Sequence, residues 1–335
     1  MSNFDWLAAQ GWQAAAHGDF DFPATAPALD DTVVVPLAHL GVFRAAGAEC
    51  DSFLQNQLSN DVRELANGRA QLSSYNSPKG RVLDLPTLRR DGDAVLLETR
   101  AETLPATLKR LRMFVLRSKV TMEDASASQP ALGLAGPGAA ALLAQAGLPV
   151  PEQDWALAAG DGIDVLRRPG AAPRFSLHAA PPRLEALWHM LSAAARPAGT
   201  ARWRLLDILA GLPAIRPETA DHFVAQMLNL DRLGGISFSK GCYPGQEIVA
   251  RMHYLGNLKR RMFLGYTEAA EVPPGTAIHV AGEAQAAGEV VESAPHPQRG
   301  RALLAVLQLS QAGAELRLGG ADGAALVVEP LVSTD

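Results

Sequence analysis

The residues best suited to chemistry lie in one octapeptide, KGCYPGQE, at residues 240–247. It places an amine, a thiol, a phenol, an amide and a carboxylate around two glycines. Gly241 and Gly245 permit backbone angles that a side chain forbids, and Pro244 fixes its own φ angle. The pattern therefore predicts a tight loop, followed by a helix that begins near Gln246.

The thiol of Cys242 is the first candidate for a reactive group. The thiolate, and not the thiol, is the nucleophile and the metal ligand. A helix N-terminus nearby and the ammonium group of Lys240 both favour the thiolate, so we expect the pKa of Cys242 to lie below the free value of about 8.5. The alternative is a buried, inert cysteine in a structural turn.

Local patterns also predict the elements that would position this loop. Apolar spacing favours helices at residues 47–59 and 203–210, and β-branched or apolar runs favour strands at 72–75 and 81–88. The turn Ser77-Pro78-Lys79-Gly80 is expected to join the two strands as a hairpin.

The octapeptide and its flanks resemble a known family. NLDRLGGISF precedes it at residues 229–238, and IVAR and LGNLKRR follow it at 248–251 and 255–261. This combination closely resembles the YgfZ-type folate-binding proteins, which are iron–sulfur cluster assembly factors related to the glycine-cleavage T-protein, an aminomethyltransferase. The resemblance continues at lower density from about Val33 to the C-terminus.

This resemblance implies an α+β fold, a T-protein-like ring of three parts. The expected parts, after an N-terminal extension at 1–31, are a discontinuous central α+β domain that binds folate and carries the loop (32–124 with 200–256), a ferredoxin-like α+β unit (125–199) and a C-terminal antiparallel β-barrel (257–335). Short apolar runs between Pro- and Gly-containing turns favour the barrel. A strand–helix–strand–strand–helix pattern favours the ferredoxin-like unit.

A channel in the central domain is expected to bind tetrahydrofolate or a derivative. Gln246 and Glu247 offer an amide and a carboxylate to a pterin ring, although Glu247 is also explained by its place at a helix N-terminus. Tyr243 lies beside them in the loop. The segment that begins at Trp203 resembles the family's helix whose Trp borders the folate site, and a core position is the alternative.

Arg251, Lys259, Arg260 and Arg261 form the densest basic group near the loop. Guanidinium and ammonium groups suit the glutamate tail of a folate or the phosphates of RNA. A solvated basic face is the alternative. Arg251 is the member that we expect to bind the cofactor.

Asp84 is the candidate for the T-protein's catalytic carboxylate, which follows a similar glycine-led strand. A shift of one residue would turn Asp84 away and place Leu85 in the site instead. The T-protein also has a pterin-binding glutamate in a segment that resembles residues 163–178, where this chain has none. The resemblance therefore favours a folate-binding assembly factor over a classical enzyme. A tetrahydrofolate-dependent aminomethyl or one-carbon transferase is the alternative.

Composition limits the cofactors and partners. The chain has 335 residues, a net charge of −5 and two cysteines, Cys50 and Cys242. Two cysteines fit a reducing cytoplasm, and no secretory signal or apolar membrane span is evident. The net charge gives no general attraction for nucleic acid, so direct binding is not expected. A cluster needs about four ligands, so we expect no permanently bound metal. Cys242 would hold iron transiently, sharing it with a carrier or client protein, and His253 is near enough in sequence to help.

Overall fold

The computed structural model describes residues 4–8, 10–14, 20–21, 27–256 and 258–331. By its contacts the chain divides into two compact units. The first unit comprises Met1–Phe53, Arg63–Gln71 and Thr87–Trp203, and the second comprises Leu54–Val62, Leu72–Pro86 and Arg204–Asp335. The four-part domain division expected from the sequence stays a prediction.

The described helices are short. They are α1 (Asp5–Ala8), α2 (Cys50–Gln55), α3 (Leu104–Val115), α4 (Ala139–Gln145), α5 (Pro181–Leu191), α6 (Thr200–Leu209) and α7 (Gln246–Tyr254). Short 3₁₀ turns occupy Val62–Glu64, Ala225–Leu228 and Leu309–Gln311. Within the described part of the chain, no helix has the length and apolar character that crossing a bilayer requires.

The described strands are numbered in chain order. They are β1 (Gln13–Ala14), β2 (Phe20–Asp21), β3 (Val33–Pro36), β4 (Leu40–Ala46), β5 (Ala70–Leu72), β6 (Tyr75–Asn76), β7 (Val82–Asp84), β8 (Thr87–Asp91), β9 (Ala94–Arg100), β10 (Thr121–Asp124), β11 (Ala131–Ala135), β12 (Leu157–Gly160), β13 (Ile163–Arg167), β14 (Arg174–Ala179), β15 (Arg196–Pro197), β16 (Arg260–Thr267), β17 (Ala277–Val280), β18 (Ala286–Pro295), β19 (Arg301–Gln308), β20 (Leu316–Leu318) and β21 (Ala324–Glu329).

Two sheets form the frame of the first unit. One has the strand order β10-β4-β9-β8-β5, and the other has the order β12-β13-β14-β11-β3-β15. The continuous apolar run of β3 is buried at all four residues, as expected of a strand that is covered on both faces. β3 pairs with β11, so the sheet of the segment after residue 125 also includes a strand from near residue 33.

The predicted N-terminal extension contributes to the core of the first unit where it is described. Trp12 packs edge-on against Trp188 of α5, with ring centroids 5.3 Å apart. The extension's buried residues in this cluster are Phe4, Leu7, Trp12 and Phe20. Large aromatic side chains bury much apolar area, so the described parts of the extension stabilise this unit.

A buried ionic cluster also lies in the first unit. Glu98 of β9 accepts a hydrogen bond from Arg168, and its Oε2 lies 3.4 Å from Nε2 of His178 on β14. Arg168 also donates through Nε to Ser176 Oγ at 3.0 Å. Burial lowers the pKa of His178 well below its usual value, and the charges of Arg89 and Arg168 lower it further. The imidazole is therefore neutral at pH 7.

The shifted pKa of His178 predicts a loss of stability in mild acid. Below about pH 6.5 the unfolded chain binds a proton at this residue that the folded chain does not, so the free energy of unfolding falls as the pH falls. Urea unfolding between pH 7.5 and 5.5 measures the slope. We expect His178→Gln to flatten it and a control at the exposed His189, His189→Gln, to leave it unchanged. Equal slopes in wild type and His178→Gln would contradict the prediction.

A closed antiparallel barrel forms much of the second unit. Its strand order is β16-β19-β18-β17-β20-β21. Apolar residues fill its interior, including Ile278, Val290, Leu303, Ala305, Leu307, Leu316 and Leu326. The predicted α+β class and the C-terminal antiparallel barrel are confirmed.

Candidate functional site

The octapeptide loop lies in the second unit and rests on the β6–β7 hairpin. The hairpin turn closes as predicted, with Gly80 N donating to Ser77 O at 2.9 Å. Gly245 has φ +77° and immediately precedes α7. A Cβ atom on Gly245 would lie 2.5 Å from both Gly80 Cα and Ser77 O. The loop and the turn therefore meet backbone to backbone, which only glycine allows.

Lys240 anchors the start of the loop. Its Nζ donates to the carbonyls of Gln55 at 2.7 Å, of Asn60 at 3.0 Å, and of Leu58. Three carbonyls match the three donors of an ammonium group, and the carbonyls at a helix end favour a cation. The ammonium also lies 5.0 Å from the centroid of the Tyr243 ring. We infer that Lys240 holds the loop in place, while its predicted effect on the Cys242 thiol stays a prediction.

The segment before the loop is fixed by hydrogen bonds to residues 59 and 60. Ser59 Oγ donates to Gly235 O at 2.7 Å, and Asn60 Nδ2 donates to Gly234 O at 2.6 Å. Ser237 N donates to Ser59 O at 3.1 Å. Backbone and side-chain hydrogen bonds therefore fix the segment from which the chain enters the loop.

The two cysteines differ in exposure. Cys242 is exposed, whereas Cys50 is buried with 2% of its surface accessible. Burial, together with the nearby charge of Asp51, raises the pKa of Cys50 to about 11. At pH 7 Cys50 is therefore almost entirely the protonated, unreactive thiol.

Alkylation of the folded protein should therefore be confined to Cys242. With iodoacetamide at pH 7.5, we expect Cys242 to react at least tenfold faster than Cys50, since the attacking thiolate must be both present and accessible. Peptide mass spectrometry over time measures both rates, and Cys50→Ser should leave the rate at Cys242 unchanged. Equal rates in the folded state would contradict this expectation.

The remaining predicted cofactor residues of the loop and α7 differ in burial. Tyr243 is buried, and burial raises the pKa of its phenol to about 12. Its backbone N donates to Gln246 Oε1 at 3.3 Å. Gln246 is half-buried, while Glu247 and Arg251 are exposed. The structure thus brings these four residues onto one loop and helix, and their contact with a cofactor stays a prediction.

Trp203 belongs to the first unit, whereas the other predicted site residues belong to the second. Its indole is 2% exposed and lies against Gly133, where a Cβ atom would approach the ring to 2.5 Å. The guanidinium of Arg174 lies 5.2 Å from the ring centroid. These contacts give Trp203 a core role, and a role at a folate site stays a prediction.

Asp84 lies on the buried face of β7. It is 1% exposed and pairs with Tyr75 across the hairpin. Its Oδ1 accepts a hydrogen bond from Leu85 N at 2.8 Å, and Leu85 itself is half-buried. Asp84 therefore faces inward on this strand, as Val82 does, and its place in a folate channel stays a prediction.

The basic group near the loop does not act as a single patch. Arg261 forms a bidentate pair with Asp231 at 2.8 and 2.7 Å, which engages its guanidinium. Arg251, Lys259 and Arg260 are exposed. These three cations are therefore more accessible to an anionic ligand than Arg261 is.

Several side chains of the second unit carry buried polar atoms that have no hydrogen-bond partner among the described residues. They include Ser74 Oγ, both amide atoms of Asn76, Ser77 Oγ and Gln226 Oε1. Buried polar atoms are nearly always paired, so each of these atoms is a candidate partner for a polar ligand or water. Sequence reasoning missed these residues, although the polar run from Ser73 to Ser77 in an apolar hairpin was a usable signal.

No group of three or more His, Cys, Asp and Glu side chains suited to a metal ion occurs in the described residues. His253, which the sequence suggested as a helper ligand, stacks on Phe238 with ring centroids 3.7 Å apart.

Comparison with known proteins places the chain in a family. The GCVT N-terminal domain matches residues 29–161. Proteins named "tRNA-modifying protein YgfZ" are 31% identical over 235 residues in Colwellia psychrerythraea, covering 70% of this chain and 72% of the relative. The relative from Pectobacterium carotovorum is 32% identical over 251 residues, 75% of each chain. The chain belongs to the YgfZ family. The Edwardsiella ictaluri member is 34% identical over 255 residues, 75% of this chain and 73% of its own.

A solved structure extends the comparison to the fold of this YgfZ family member. The glycine cleavage system aminomethyltransferase T from Bartonella henselae superposes with a TM-score of 0.79, over 99% of this chain and 98% of that one. Sequence identity is 18%, so the match shows the fold alone. The resemblance read from the octapeptide and its flanks is confirmed, as is the T-protein-type fold.

Proposed function

We propose that this protein binds a folate and acts in the assembly, maintenance or repair of iron–sulfur clusters in client enzymes, with Cys242 as its functional thiol. The proposal rests on the exposure of Cys242 and on the way its loop is anchored. The thiol is exposed, on a loop that is held at one end by Lys240 and at the other by Gly245. A positioned, accessible thiol suits transient coordination by two proteins at once.

The iron–sulfur cluster would be cargo that this protein passes on, because the chain offers few ligands for it. Cys50 is buried, which leaves Cys242 as the exposed cysteine. The other ligands would come from a carrier or client protein. The relatives' name, tRNA-modifying protein, is the reason to place tRNA-modifying enzymes among the clients.

Reduced folate, when bound, would supply a flat ring whose edge both donates and accepts hydrogen bonds. The buried amides of Asn76 and Gln226 have atoms without partners, and an amide also donates and accepts. These groups fit such an edge. Gln246 and Glu247 would add an amide and a carboxylate, and Arg251 a positive charge.

Complementation in cells tests the role of the thiol. The variants are expressed in a strain that lacks the protein. We expect Cys242→Ser to leave the activity of cluster-dependent tRNA-modifying enzymes as low as in the same strain without any copy of the protein. Cys50→Ser serves as the matched control and should restore activity, because its thiol is buried and largely protonated. Full activity with Cys242→Ser would overturn the proposal.

Folate binding can be separated from stability with Asn76→Leu. Tetrahydrofolate at one hundred times its Kd should stabilise the native protein by about 2.7 kcal/mol and raise the Tm. Asn76→Leu removes amide atoms that are buried without partners, so it should not destabilise the unliganded protein. We expect the variant to lose the folate-dependent rise in Tm, and an unchanged rise would remove Asn76 from the site.

A tetrahydrofolate-dependent aminomethyl or one-carbon transferase is the second candidate. The T-protein-type fold and the buried carboxylate of Asp84 favour it. Release of ammonia or formaldehyde from an aminomethyl donor, lost in Asp84→Asn, would support this function. Absence of turnover with folate bound would leave the assembly role.

A further inference from the structure

The second unit contains a cavity of about 320 Å³ that is separate from the loop residues discussed above. Its lining residues include Arg81, His222, Phe223, Met227, Arg260 and Glu289. The cavity shares the β6–β7 hairpin with the Cys242 loop, because Arg81 directly follows Gly80, which contacts Gly245. One hairpin therefore supports both features.

Arg81 is fixed at the cavity but retains free donors. Its Nη1 donates to the carbonyls of Asp221 at 3.1 Å and of His222 at 3.3 Å. The backbone of Arg81 also forms a β-bridge with Val224. An arginine has five N–H donors, so the rest of the guanidinium fork can bind a ligand.

Arg260 supplies a second cation. It is exposed, and no hydrogen bond or ion pair of its guanidinium occurs among the described residues. The one acidic lining residue, Glu289, is engaged by His222, with Oε1 at 2.6 Å from Nδ1. The cavity therefore offers two guanidinium groups against one paired carboxylate.

We propose that this cavity binds a small polycarboxylate, the γ-linked glutamate tail of a folate; the inference rests on the folate binding proposed above. Planar guanidinium groups bind carboxylates in a bidentate manner. Phe223 and Met227 offer apolar contact to the methylene groups between carboxylates. A volume of about 320 Å³ is at the lower limit of ligand sites, which suits part of a ligand. RNA would need a longer track of cations along its phosphates.

The test compares three ligands by calorimetry: tetrahydrofolate with one glutamate, tetrahydrofolate with three, and tri-γ-glutamate without a pterin. We expect the triglutamate form to bind about tenfold more tightly than the monoglutamate. Arg260→Met should abolish this difference between the two folates. Because the guanidinium of Arg260 is exposed, the variant should fold normally. Arg317→Met, which removes a barrel arginine outside the cavity, should keep the tenfold difference.

Each outcome decides between the two proposals. Equal affinity for the two folates in the wild type overturns the tail site but keeps folate binding. A tenfold difference that survives Arg260→Met also overturns it. If neither folate binds, the peptide decides: binding that Arg260→Met abolishes supports the cavity's assignment to polycarboxylates and overturns the folate proposal. Absence of peptide binding then overturns both.

Discussion

Gly245→Ala is expected to disrupt the Cys242 loop, whereas Gly241→Ala in the same octapeptide is expected to be tolerated. Alanine at 245 would hold φ near +77° and bring its Cβ within 2.5 Å of Gly80 Cα and Ser77 O. These are backbone atoms and cannot move aside cheaply. The left-handed conformation costs about 1–2 kcal/mol and the steric overlap about 1–3 kcal/mol more. A Cβ on Gly241 meets nothing within 4 Å.

Two measurements check this pair. Urea unfolding should show a loss of about 2–5 kcal/mol for Gly245→Ala and less than about 0.5 kcal/mol for Gly241→Ala. Complementation should fail with the first variant and succeed with the second. Wild-type stability and activity in Gly245→Ala would show that the turn does not position the loop.

Glu98→Ala should give the largest loss of stability in the first unit, about 3–5 kcal/mol. Removal of this carboxylate leaves Arg168 buried without its charge partner. Arg89 suffers too: burial lowers the pKa of its guanidinium, and Glu98 is the first of the charges that oppose this shift. An unpaired buried charge keeps its desolvation cost and loses the attraction that offset it.

An exposed ion pair provides the control for Glu98. Arg183 pairs with Asp161 at the surface of the same unit, and Arg183→Gln should cost between 0 and about 1 kcal/mol. Denaturant unfolding of both variants gives the comparison. The double variant Glu98→Leu/Arg168→Met should recover much of the loss, because apolar side chains need no charge partner. Similar losses in Glu98→Ala and Arg183→Gln would rule out the buried cluster as a main source of stability.

Several local features of the fold can be predicted from the sequence. The Ser77–Gly80 turn contains Pro and Gly where a turn needs them, and the helix after Gly245 begins at Gln246 as expected. The barrel was evident from apolar runs between turn residues. One helix is shorter than predicted: the helix expected at 47–59 is only Cys50–Gln55, and Leu58 pairs with Tyr75 in a β-bridge.

Contacts between distant segments were not readable. The carbonyls that bind Lys240 belong to residues about 180 positions earlier, and any lysine would look the same in sequence. The glycine pair that seats the loop, Gly80 and Gly245, is likewise a product of tertiary packing. The unpartnered amide atoms of Asn76 and the unpartnered Oε1 of Gln226 follow from burial, which no single-residue propensity reports.

The hairpin beneath the loop can complete its contacts only late in the synthesis of the chain. Val82 N donates a hydrogen bond to Phe223 O, and Gly80 lies against Gly245; both partners belong to chain that is made much later. At about 5–20 residues per second, a ribosome adds those partners roughly 7–30 s after the hairpin. Until then the edge of the hairpin lacks these partners, and unpaired strand edges favour pairing with other segments. The Cys242 loop is therefore seated on its hairpin only in the last third of translation.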